Sequence, residues 1–142
     1  MKFERKNTIE EAEIYEGMDF KKTDSEIRNP DGSIVFSAKN IEIPKGWSQV
    51  AADVLAQKYF RKAGIPKVLK KVVEEGIPTF LQRSVEDKEA LEKLNPQERY
   101  SSETTATQVF DRLVGTWAYW GWKGNYFDSE EDARIYYDEM RF

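Results

Sequence analysis

Three stretches of the chain repeat their apolar residues every three to four positions, the spacing of one face of an α-helix. In the first, Trp47, Val50, Ala51, Val54, Leu55 and Tyr59 share a face while Gln49, Asp53, Gln57 and Arg61 fall elsewhere. This predicts a helix over Trp47–Lys62, stopped by Gly64 and Ile65-Pro66, since Gly takes a left-handed cap and Pro cannot continue the turn. The second starts at Thr104 and carries Ala106, Val109, Phe110, Leu113, Val114, Trp117 and Trp120. It is weakened by Gly115 and broken by Gly121, Gly124 and Asn125, and Trp117 and Trp120 are expected to face the core beside Leu113. The third starts at Asp128 or Ser129, where Asp128 with Glu131 and Ser129 with Asp132 both have capping-box spacing; Ala133, Tyr136, Tyr137 and Met140 share its apolar face. Shorter helices are predicted at Val68–Glu75 and Asp87–Leu94.

Only one segment reads as sheet. Asp24–Arg28 and Ser33–Ser37 flank Asn29-Pro30-Asp31-Gly32, a turn in which Pro presets φ and Gly tolerates positive φ. Ile41, Ile43 and Pro44 read as an extended connector leading away from this hairpin. The expected fold is therefore mainly α: a helical domain over residues 20–142 with one small β-hairpin, after a weakly ordered arm at 1–19. The last helix reaches Arg141-Phe142 with its apolar face in phase and no stop residue, the pattern of a longer chain interrupted.

Composition narrows the chemistry. The 142 residues include 8 Phe, 7 Tyr and 4 Trp, enough aromatic mass to anchor a core despite 34% charged residues. A net charge of −4 argues against non-specific nucleic-acid binding, which needs a basic surface to displace counterions. No cysteine and no histidine occur, which removes thiol chemistry, thiolate sites and the usual general base. No signal peptide or apolar membrane span is evident, so a cytoplasmic protein without membrane association is expected.

The stretch Thr116–Phe127 packs six aromatics into twelve residues. Stacking on a base or corrin is one reading; packing, or docking onto another domain, is the simpler one. Trp117, Trp120, Trp122, Tyr126, Phe127 and Tyr137 are taken as the candidate partner-binding residues. Lys58, Arg61, Lys62, Lys67, Lys70 and Lys71 form a basic cluster that reads as a solvated face, with Lys70–Glu74 and Lys71–Glu75 as i, i+4 pairs. The carboxylates of Asp128–Asp132 are explained by helix capping. No catalytic, metal or cofactor-binding residue stands out.

Asp24–Phe36 (DSEIRNPDGSIVF), Trp47–Pro66 (WSQVAADVLAQKYFRKAGIP) and Gln108–Arg141 (QVFDRLVGTWAYWGWKGNYFDSEEDARIYYDEMR) resemble the N-terminal region of class II, adenosylcobalamin-dependent ribonucleotide reductases. The resemblance implies a ten-stranded α/β barrel, a cysteine radical, a redox-active cysteine pair, cobalamin and a nucleotide substrate for the complete enzyme. None of those residues maps onto this chain. The partner it implies is the catalytic barrel of the same reductase, in cis or as a separate chain, for which this piece would be a non-catalytic scaffold. A free-standing helical adaptor, or a nucleotide-binding regulator with the reductase N-terminal fold, is the alternative, and self-association is expected if the aromatic surface is uncovered.

Overall fold

The structure, a computed structural model, describes residues 1–142. It is 37% helical and 22% strand, with several small antiparallel sheets, which corrects the expectation of a mainly α domain with a single small hairpin. The chain divides into two compact units.

One unit comprises Gly17–Ile65 and Tyr100–Val109. Strands β1 (Phe20–Arg28) and β2 (Ile34–Pro44) pair antiparallel from Phe20 opposite Pro44 to Arg28 opposite Ile34. The turn forms where Pro-Asp-Gly places it. Gly32 has φ +85°, and Asp31 accepts from the Ser33 amide at 2.9 Å and its hydroxyl at 2.6 Å. What the pattern missed is length: Ile41 and Ile43 are not a connector but the buried positions of β2. Two residues apart, they point to the same face of the strand. A register irregularity between Thr23 and Ser25 coincides with Asn40 at φ +56°, whose amide donates to Asp24 at 2.7 Å. Beyond it β2 resumes with its Ile face inward.

Helix α1 (Gln49–Val54) begins at Ser48, whose hydroxyl accepts from the Ala51 amide at 3.2 Å. It passes directly into a π-helical turn, Leu55–Tyr59, closed by the Phe60 amide on the Leu55 carbonyl at 3.1 Å. The buried residues are Ala52, Leu55, Ala56 and Phe60. Val50, Val54 and Tyr59, read from the sequence as core-facing, are exposed. The hairpin accepts the small-residue side of this helix, where two alanines permit close approach.

Strands β3 (Ile65–Pro66) and β6 (Tyr100–Ser101) are two-residue elements. Ser25 is fully buried and donates to Asp53 at 2.6 Å.

The other unit comprises Met1–Glu16, Pro66–Arg99 and Phe110–Phe142. Its segment Val68–Glu75 is not a helix: β4 (Leu69–Lys71) pairs antiparallel with β5 (Ser84–Glu86). The expected Lys70–Glu74 pair therefore does not form, and Glu74 pairs with Arg83 at 2.6 Å instead. Helix α2 (Lys88–Glu92) is capped by Asp87, shorter than predicted. Helix α3 (Ala106–Lys123) runs through Gly121, and α4 (Glu130–Arg141) starts at Ser129, whose hydroxyl accepts from the Asp132 amide at 3.1 Å. The core of this unit gathers Ile77, Leu81, Ala118 and Ala133, with Phe80, Tyr119, Trp122, Phe127, Tyr136 and Tyr137 packed against them.

Residues 3–8 run along α4 through hydrogen bonds. The Phe3 amide donates to Asp132 at 2.8 Å, and Arg5 donates to Asp138 at 2.8 Å. The amides of Lys6, Asn7 and Thr8 and the Thr8 hydroxyl converge on the Glu139 carboxylate at 2.7–3.0 Å, a backbone nest for an anion. Burial would raise the Glu139 pKa, but the Thr8 hydroxyl and these amides outweigh it and hold it at about 2. Its pKa is thus depressed on folding, so the contact stabilises above the ordinary value near 4.5 and is lost as pH falls through about 2. The Thr8 amide resonance is expected to titrate with a midpoint near 2; a midpoint near 4.5 would show that the nest does not hold the carboxylate.

Candidate docking surface

The aromatic segment at the end of α3 splits into an inward and an outward set, and helix geometry decides which is which. Val114, Ala118 and Trp122 succeed one another at i, i+4 and form the seam against the core. At 3.6 residues per turn, Trp120 lies about 160° from Ala118. It is 63% exposed and Trp117 41% exposed, so both depart from the core-facing positions their spacing predicts. Large apolar side chains satisfy a three-four pattern on more than one side of this helix, and the small Ala118 marks the side that packs.

The other candidates fall as follows. Trp122 packs on the core and its indole N–H donates to the Gly76 carbonyl at 2.7 Å. Phe127 packs in the same cluster, 5.9 Å from the Phe3 ring and 5.3 Å from Tyr136 between centroids. Tyr137 lies 5.8 Å from Phe80 and carries the Arg141 guanidinium 4.0 Å over its ring. Tyr126 is 59% exposed. The exposed rings are thus Trp117, Trp120 and Tyr126, whereas Trp122, Phe127 and Tyr137 pack on the core.

Two glycines make this arrangement possible. A Cβ on Gly121 would meet the Phe127 ring at 2.7 Å, and one on Gly124 would meet the Tyr126 ring at 2.8 Å. Gly121 therefore does not break α3; it lets Phe127 close onto the helix. The backbone turns directly after, with the Tyr126 amide on the Gly121 carbonyl at 2.9 Å and Asn125 at φ +58°.

Nearby, Tyr119 donates to Glu74 at 2.8 Å while Arg83 pairs with the other carboxylate oxygen. The Tyr119 hydrogen bond, then that of Arg83, lowers the Glu74 pKa; the same Glu74 contact raises that of Tyr119. These shifts belong to a mutually satisfied surface cluster rather than to an acid–base pair. The pattern of the sequence did not disclose a second network, in which Asp138 bridges Arg5 and Arg141 while Asp111 accepts from Tyr15 at 2.9 Å and from Arg141 at 3.3 Å. Burial first, then the Asp111 charge, raises the Tyr15 pKa. Its residues are scattered over 5–141 and carry no common spacing.

A cavity of about 660 Å³ in the same unit is walled by charged side chains, among them Arg5, Glu10, Glu131 and Arg134, with Phe80 as its aromatic residue. Such walls do not fit the broad apolar face of a corrin. No group of three or more His, Cys, Asp or Glu side chains is arranged to hold a metal ion. No helix is long and apolar enough to cross a membrane.

Residues 21–142 match the family described as class II vitamin B12-dependent ribonucleotide reductase. A vitamin B12-dependent ribonucleotide reductase of Bradyrhizobium diazoefficiens is 61% identical over all 142 residues, and one of Agrobacterium fabrum is 58% identical over the same length. A more distant relative of the same name, from Rhodopirellula baltica, is 27% identical over 80% of the chain. The chain spans 11% of the length of the first two relatives, and its match covers 8% of the length of the third.

Proposed function

The chain belongs to the class II vitamin B12-dependent ribonucleotide reductase family, and on that premise we propose that it is the non-catalytic N-terminal domain of such an enzyme, serving to dock and position the catalytic part. The complete protein would convert ribonucleotides to deoxyribonucleotides with adenosylcobalamin. The thiol chemistry that this conversion requires would come from the remaining polypeptide, because this chain contains no cysteine. The observation that carries the reading is the exposed set Trp117, Trp120 and Tyr126, on a segment whose Ala118, Trp122 and Phe127 pack on the core. Rigid aromatic rings of this kind are the residues that most often dominate an interface. With the matched relatives about nine times longer than this chain, the catalytic part in cis is the natural occupant.

Trp120→Ala and Tyr126→Ala in the full-length reductase test this. Each is expected to weaken docking by ~2 kcal/mol, which is roughly a thirtyfold shift in the docking equilibrium. Limited proteolysis after residue 142 should accelerate accordingly while the melting of the domain itself changes little. Trp122→Ala should instead lower that melting temperature, since its ring and indole N–H are used internally. Proteolysis unchanged in both surface variants would remove the docking role.

A further inference from the structure

The α1 helix and the turn after it expose large apolar side chains away from their core seam. Val50 is 71% exposed, Val54 48% and Tyr59 53%. Val50 and Val54 are one turn apart. In a continuous α-helix Tyr59 would lie about 140° beyond Val54, out of line with both. The i→i+5 turn from Leu55 to Phe60 adds a residue to the turn and swings Tyr59 back toward the side of Val54. The π-helical insertion thus does two things at once: it keeps Leu55, Ala56 and Phe60 buried, and it leaves Tyr59 exposed toward the side of Val50 and Val54. Such insertions are rare and are frequent at functional sites.

We propose that Val50, Val54 and Tyr59 form a second docking stripe for an apolar segment with an acidic rim in the remaining reductase polypeptide. The inference rests on the reading above that this chain is one domain of a longer reductase. Two observations select the occupant. The matched relatives carry about nine times the length of this chain, so most of the polypeptide that could cover the stripe lies outside these residues. Lys58 precedes Tyr59 and Arg61 and Lys62 follow it; all three are exposed, and none is ion-paired with a carboxylate. Lys62 is held by the Gln57 carbonyl at 2.9 Å and by the Phe36 ring. A partner with carboxylates at its edge would meet these charges and be favoured in encounter and register.

The test is photo-crosslinking in the full-length enzyme, with p-benzoylphenylalanine replacing Val54 in one variant, Val50 in a second and Trp120 in a third. The expected result is a crosslink from positions 50 and 54 to a segment beyond residue 142 of the enzyme. Lys58→Glu in the Val54 variant should cut its yield about threefold at low ionic strength and have little effect at high salt. Crosslinks from 50 and 54 confined to residues 1–142, whether of the same or a second copy, or none at all, would overturn the stripe. If position 120 crosslinks beyond residue 142 and positions 50 and 54 do not, the docking role stands and only this inference fails. If none of the three does, both fail. A yield unchanged by Lys58→Glu would overturn the acidic rim.

Discussion

Asp138→Ala is expected to be among the most damaging single substitutions in the chain, costing about 3–5 kcal/mol, the usual loss when one partner of a buried ion pair is removed. Asp138 is buried, and its two oxygens meet Arg5 at 2.8 Å and Arg141 at 3.2 Å. Both guanidinium groups are themselves largely buried, with 15% and 13% of the side chain exposed. Removing the carboxylate leaves two positive charges facing one another in a site water reaches poorly. Arg141 would retain Asp111, whereas Arg5 would retain the Thr8 hydroxyl and Glu131 at 3.8 Å. The loss should therefore fall first on the N-terminal residues that Arg5 fastens to α4. Asp19→Ala provides the contrast: its pair with Lys45 is exposed on both sides, and such pairs contribute ~1 kcal/mol or less. Urea unfolding of the two variants separates the cases, and equal midpoints would show that Asp138 is not the hub its geometry suggests.

A loss of about 3 kcal/mol is also expected for Ile43→Ala, within the usual span for deleting a buried isoleucine side chain beyond its first carbon. Ile43 is 0% exposed and its strand neighbour Ile41 is also buried. Ile34, on the same strand, is exposed, so Ile34→Ala should change stability by roughly 0.5 kcal/mol or less. The two substitutions remove the same atoms from the same strand. A difference between them measures burial alone, and comparable losses would mean that the hairpin does not bury its second half as described.

Local signals settled where most elements begin and turn. Pro-Asp-Gly fixes the hairpin turn because those residues supply the backbone angles themselves, and Ser48, Asp87 and Ser129 start helices because their side chains satisfy orphan amides within three residues. The family resemblance was equally legible, since Gln108–Arg141 is a long motif unusually rich in aromatic residues. Tertiary structure alone decided which side of α1 and of the end of α3 is core, whereas Ala133, Tyr136 and Tyr137 of α4 face inward as their spacing predicts. Val50 and Val54 outside, Ala52 and Ala56 inside, and Trp120 opposite Ala118 all follow from close approach of a neighbouring element, which favours small residues over the most apolar ones. It also decided that Leu69–Lys71 is a strand, because that conformation depends on hydrogen bonds supplied by Ser84–Glu86 some fifteen residues away. The Arg5–Asp138–Arg141 network has the same origin. Its members become neighbours only when the first residues of the chain lie along its last helix, and no periodicity within one segment encodes an approach between two.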